Sequence, residues 1–124
     1  MTLEAQFKSQ LAKITELNDN IYPLAVEESV KPPYIAYIMS GGKREKNLQG
    51  YAEEREINCE INILSKTYSG LRVLEGKVAN TLINLVGLEA DGRKIQDVEL
   101  EEPYEMYEEQ IKLHRANIIF KVFY

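Results

Sequence analysis

Residues 56–74 read EINCEINILSKTYSGLRVL, and a change of rhythm inside them decides the fold. Ile57, Cys59, Ile61 and Ile63 alternate with Glu56, Asn58, Glu60 and Asn62. That period of two belongs to a strand with one dry face and one wet face. At Ser65-Lys66-Thr67-Tyr68-Ser69-Gly70 the rhythm switches. Leu71, Leu74, Val78, Leu82 and Leu85 then step by three or four, as in a helix that buries one stripe. The spacing predicts a helix from about Thr67 to Val86, with Gly87 placed for a left-handed C-cap. Gly76 lies inside this helix at a cost of about 1 kcal/mol against alanine, which close packing on a sheet would explain.

Upstream, Pro32-Pro33 leads into Tyr34–Met39, a strand apolar on both faces and so expected to be covered on both. Gly41-Gly42 reads as its end, and a long polar excursion from Lys43 to Glu54 follows, with Lys43, Arg44 and Lys46 near its start. Leu3, Phe7, Leu11 and Ile14 recur at helical spacing behind a Thr2 cap, predicting a first helix to about Leu17 that Asn18-Asp19-Asn20 ends. Residues 21–33, interrupted by Pro23, Pro32 and Pro33, read as an irregular connection. Downstream, Asp91-Gly92 signals a turn. A weaker strand is expected over Lys94–Glu101, then an acidic loop around Pro103, then the longest strand from Ile111 to Tyr124. Ala116, Ile118, Phe120, Val122 and Tyr124 form one face of that last strand. The order α-β-β-α-β-β predicts an α+β domain, two helices packed on one face of a roughly four-stranded antiparallel or mixed sheet.

The composition suits this reading. At 124 residues the chain is one domain, able to bury about 65–70% of the surface its unfolded form would expose. An apolar fraction of 44% argues for an ordinary core rather than disorder. The net charge of −5 gives no general attraction to nucleic acid. Cys59 is the only cysteine, which excludes an internal disulfide; in an apolar strand it reads as a small buried thiol in a reducing compartment. The first residues lack a secretory pattern, and no apolar run approaches the roughly 20 residues that span a bilayer. The expectation is a soluble chain without a Sec-type signal.

No group of residues suggests catalysis. His114 is the only histidine and reads as a surface or structural residue, so no histidine metal cluster can form. Cys59 lies in a strand interior, unlike an exposed nucleophile. Gly41-Gly42 has neither the spacing nor the following helix of a phosphate loop. The acids Asp97, Glu99, Glu101, Glu102, Glu105, Glu108 and Glu109 lack the glycine-turned spacing of a calcium loop; they read as a solvated face or an electrostatic interface. The chain is expected not to be an enzyme and to need no cofactor.

Pro32-Pro33-Tyr34-Ile35 entering a strand, the charged excursion, the alternating strand Ile57–Leu64 and the Thr67-Tyr68-Ser69 helix entry together resemble the tail-completion, or tail-to-head joining, family of long-tailed bacteriophages and prophages. The resemblance runs over nearly the whole chain, in pattern and order rather than through an invariant motif. It implies a single tail-terminator-like domain over 1–124, working as a ring, hexameric to match the tube. Such a ring caps the tail tube and docks on the head connector or head-completion protein. DNA passes through it without specific binding, and no membrane or cofactor is involved. The implied location is the tail–head junction of the virion, with assembly in the bacterial cytoplasm. Relatives use the segment between the first two strands for contacts, here Lys43, Arg44, Glu45, Lys46, Asn47, Leu48, Gln49 and Gly50.

A closed ring needs two different complementary patches on each subunit. The basic start of the excursion and the acidic stretch Asp97–Glu109 lie far apart in the chain, and Tyr104, Met106 and Tyr107 could anchor such a contact. The residues also admit two other readings. One is a different neck or minor tail component, such as a head-completion adaptor. The other is a cytoplasmic α+β binding module or enzyme subunit without any phage connection.

Overall fold

A computed structural model describes the chain except for residues 25, 27, 28, 48 and 49, and describes side chains outside residues 40–54. Helix α1 (Leu3–Leu11) starts at Thr2, whose hydroxyl accepts the Ala5 amide at 3.1 Å, and buries Leu3, Gln6, Phe7 and Leu11. It is shorter than the apolar spacing predicts. Ile14 turns extended, Thr15–Leu17 form a single 3-10 turn, and Asn18 and Asp19 take left-handed backbone at φ 48° and 60°. Ile14 and Leu17 still reach the core, so the stripe continues after the helix has stopped.

Strand β1 (Ile21–Pro23) corrects the irregular reading of that region. It runs parallel to β2 (Tyr34–Asn47), pairing Ile21 with Ile35 and Pro23 with Tyr37. Proline fits there because β1 is an edge strand and its outer side needs no donor. Strand β2 does not stop at Gly41-Gly42. It continues antiparallel to β3 (Gly50–Ser65), with register shifts between Met39 and Gly42 and between Arg44 and Lys46. The glycine pair therefore marks a bulge, and most of the polar excursion is strand backbone.

Helix α2 (Tyr68–Ile83) begins at Thr67, whose hydroxyl accepts the Gly70 amide at 3.1 Å. A Cβ on Gly70 would lie 2.8 Å from that hydroxyl and 3.0 Å from the Ser65 hydroxyl, so this cap requires glycine. The helix ends three residues before Val86, and Gly87 follows at φ 91°. Around Gly76 an added Cβ would meet nothing, which overturns the packing explanation for that glycine.

The expected third strand is divided. Glu89–Ala90 (β4) and Arg93–Lys94 (β5) make a small hairpin about Asp91-Gly92, while Asp97–Leu100 (β6) joins the main sheet. The acidic loop also proves to be partly strand. Tyr104–Glu108 (β7) pairs with β8 (Leu113–Phe123), along the same edge that β6 occupies further on. The main sheet has six strands rather than four, in the order β1-β2-β3-β8-β6 with β7 also on β8. Among the described residues only β1 and β2 pair in parallel.

Both helices cover one face. The rows Ile35–Ile63–Ala116, Tyr37–Ile61–Ile118 and Met39–Cys59–Phe120 cross the sheet in register. Phe7 of α1 sits above them, 5.1 Å from the Tyr37 ring and 6.0 Å from the Phe120 ring. The alternation of β3 is thus matched residue for residue by its neighbours.

Candidate functional site

The opposite face of the sheet carries no helix among the described residues. Its centre is polar and tied together. The Arg115 guanidinium donates to the Asn62 amide oxygen at 2.9 Å and to the Glu108 carboxylate at 2.8 Å. Asn117 donates to Glu60 at 2.5 Å and to Asn62 at 3.0 Å. Lys121 pairs with Glu56 at 3.2 Å. Among the described side chains five carboxylates, Glu56, Glu60, Asp97, Glu99 and Glu108, stand on this face against two cations, Arg115 and Lys121. Apolar groups frame the network: Ile38 and Ile119 flank Glu60 in one row, and Tyr104 and Met106 lie beyond Asn117 and Arg115.

The expected anchors are therefore separated. Tyr104 and Met106 share the open face, whereas alternation turns Tyr107 to the helix side, with its ring 4.9 Å from His114. His114 is half-buried there, with Tyr68 6.0 Å away on its other side. Lys43, Arg44, Glu45, Lys46 and Asn47 are placed by their backbone at the far end of β2, and Gly50 opens β3. Leu48 and Gln49 lie outside the described residues. This arm is distant in sequence from Tyr104 and Met106, and no described contact joins them.

On the helix side lies a residue that the sequence reading passed over. Glu75 is buried at 6% exposure, facing Glu105 of β7 and Arg72 of its own helix. Arg72 reaches Glu105 at 3.0 Å and Glu75 at 3.6 Å. One oxygen of each acid, Oε1 of Glu75 and Oε2 of Glu105, has no hydrogen-bond partner. Burial, then the neighbouring Glu105, pushes the Glu75 carboxyl up to about 7, against the pull of Arg72. The signal was available: Glu75 falls four residues after Leu71 and three before Val78, on the buried stripe.

Burial likewise pushes the Cys59 thiol up to about 12, as suits a packed sulfur rather than a nucleophile. Among the described residues no three His, Cys, Asp or Glu side chains come together to share a metal ion. An open hollow of about 840 Å³ lies at one end of the sheet, lined by Val26, Val30, Tyr34, Ile111 and Leu113 with Lys66 and Lys112. A second, of about 480 Å³, lies between Pro32-Pro33 and the first turn of α2.

No protein-family model matches the sequence, and no curated protein matches it. Among solved structures, a chain from the virion of a native gene transfer agent particle is similar in fold. The two superpose with a TM-score of 0.73 over 98% of this chain and 93% of the other, at 11% sequence identity. At that identity the shared property is the fold, and it is shared along the whole length of both chains.

Proposed function

We propose that the protein is a non-enzymatic structural subunit of a phage-type virion. It assembles head to tail as a ring, hexameric to match the tube, caps the tail tube and joins it to the head connector. The observation that carries this reading is the full-length similarity to a chain of a gene transfer agent virion. The resemblance of the sequence to tail-completion proteins gives the more specific role. The extended β2–β3 arm and the exposed Tyr104 and Met106 offer separate contact regions, as a subunit with several neighbours requires.

The test is replacement of Lys43, Arg44 and Lys46 together by glutamate in a phage or prophage that carries this gene. Attraction to acidic partners becomes repulsion. The expected result is a folded protein, a loss of infectious particles of at least tenfold, and unjoined heads and tails in electron micrographs. Lys8→Glu, on the exposed side of α1, serves as the control for a charge reversal elsewhere. Normal particle yield from the triple variant would remove the arm from the mechanism. Full heads that lose DNA beside normal, capped tails in a deletion strain would favour a head-completion adaptor instead.

A further inference from the structure

Strand β7 is lightly held. None of its five residues is buried. Among the described residues it pairs only with β8, from Tyr104–Asn117 to Glu108–Leu113. On one side lies the irregular stretch 101–103, and on the other a turn in which Lys112 takes left-handed backbone at φ 56°. Its side chains are tied at two points. On the open face Glu108 meets Arg115. On the helix side Glu105 meets Arg72 and Glu75 of α2.

The tie to α2 is one group short. A single Arg72 nitrogen, Nη1, lies 3.6 Å from Oε2 of Glu75 and 3.0 Å from Oε1 of Glu105. That leaves Oε1 of Glu75 and Oε2 of Glu105, both buried, without a donor. The two acids are within hydrogen-bonding reach of each other, yet two ionised carboxylates can only accept. One proton between them would turn the orphan oxygens into donor and acceptor and make the trio with Arg72 neutral. Among the described residues no other donor reaches these oxygens. Tyr68 stands beside Arg72, and the Tyr107 and His114 rings pack on each other 4.9 Å apart. The sheet under α2 turns apolar side chains and the buried Cys59 thiol to this side.

We propose that Glu75 and Glu105 share one proton, and that this proton latches β7 onto α2. When it leaves to water, two carboxylates repel each other across a single guanidinium, and β7 has no core side chain to hold it. The strand then opens more often, and the edge of β8 at Leu113–Asn117 is bared for pairing. Tyr104 and Met106 travel with β7, so the proton also fixes the surface they form. Burial and the adjacent Glu105 both raise the Glu75 carboxyl. The latch is therefore closed in acid and loosens as pH rises through the neutral range. It works within a single copy and does not depend on ring formation.

Two measurements on the full chain test it. Carboxyl-carbon NMR follows each glutamate through a pH titration. Glu75 should hold its proton to near neutral pH in the wild type and ionise about one unit lower or more in Glu105→Gln, a tenfold change in acidity. An unchanged Glu75 titration would show that burial alone protonates it and would overturn the shared proton. Amide hydrogen exchange reads the strand. Protection factors of the β7 amides, corrected for the intrinsic pH dependence of exchange, should lie below those of β3 and fall about tenfold or more from pH 5 to pH 8. In Glu75→Gln, which cannot ionise, they should stay level. Equal β7 protection at both pH values in the wild type, or the same fall in the variant, would overturn the latch. So would β7 protection as high as that of β3, since the strand would then open only with the whole domain.

Discussion

Replacing Glu75 by glutamine should stabilise the protein at neutral and higher pH and change little under acid conditions. The acid is buried beside Glu105, with its carboxyl pushed up to about 7 from an ordinary value of 4.5. Below about pH 4.5 it is neutral in both the folded and the unfolded chain and costs nothing. Between there and pH 7 the unfolded chain ionises freely while the folded one resists, so stability falls as pH rises. Above 7 the whole cost is present. A shift of roughly 2.5 units at about 1.4 kcal/mol each sets a ceiling of about 3 kcal/mol. That shift is already net of the pull of Arg72; the buried glutamine amide, left short of hydrogen-bond partners, costs about 1 kcal/mol, which leaves about 2 kcal/mol. With an unfolding entropy of roughly 2 cal/mol/K per residue, that corresponds to a gain in melting temperature of about 8 °C. Circular dichroism melts of both proteins at pH 5 and pH 8 measure it. The expected outcome is a gap near zero at pH 5 that widens by several degrees at pH 8. A gap of the same size at both pH values would refute the account, since only an acid that ionises between them gives a difference.

The remaining expectations concern packing. Ile61, fully buried between Tyr37 and Ile118, should not tolerate aspartate, and Ile61→Asp should cost more than about 4 kcal/mol and leave the protein insoluble. Its neighbour Asn62 only accepts hydrogen bonds through its oxygen from Arg115 and Asn117, so Asn62→Asp should melt within a few degrees of wild type. Deleting Phe120–Tyr124 removes the pairing of β8 with Cys59 and with β6, together with the Tyr124 hydroxyl bond to Asp91; the truncated chain should lose its folded circular dichroism spectrum. Gly76→Ala, with open space for its methyl group, should raise the stability of the isolated subunit by about 1 kcal/mol in urea titrations.

The β3–α2 unit could be read from the sequence because each element carries its own periodicity across enough residues to exclude the other. Elements whose identity depends on a distant partner were hidden. Strand β1 has three residues and a proline, and becomes a strand only because Asn20 and Leu24 bracket it with backbone bonds to Ile35 and Tyr37. Gly41-Gly42 is a strong local stop signal, overridden by pairing of β2 with β3 on both sides of a bulge. Strand β7 was concealed by its charge, yet acids suit an edge strand because they discourage unwanted pairing. The sequence groups Tyr104, Met106 and Tyr107 as one candidate contact, and only the register of β7 on β8 separates Tyr107 from the other two.

The residues that fit neither period of their own element carry the most functional information. In β8 the wet-side positions Arg115, Asn117 and Lys121 are polar, while Ile119 and Phe123 break the series; in α2 the exposed side carries Tyr68, Val73 and Ile83 among polar residues. The monomer gains nothing from placing these groups in water, and it loses helix stability at Gly76. Each departure lies on a surface that no element of the chain covers among the described residues. A subunit that folds alone and then packs against neighbours in an assembly must carry its second set of apolar contacts at such positions.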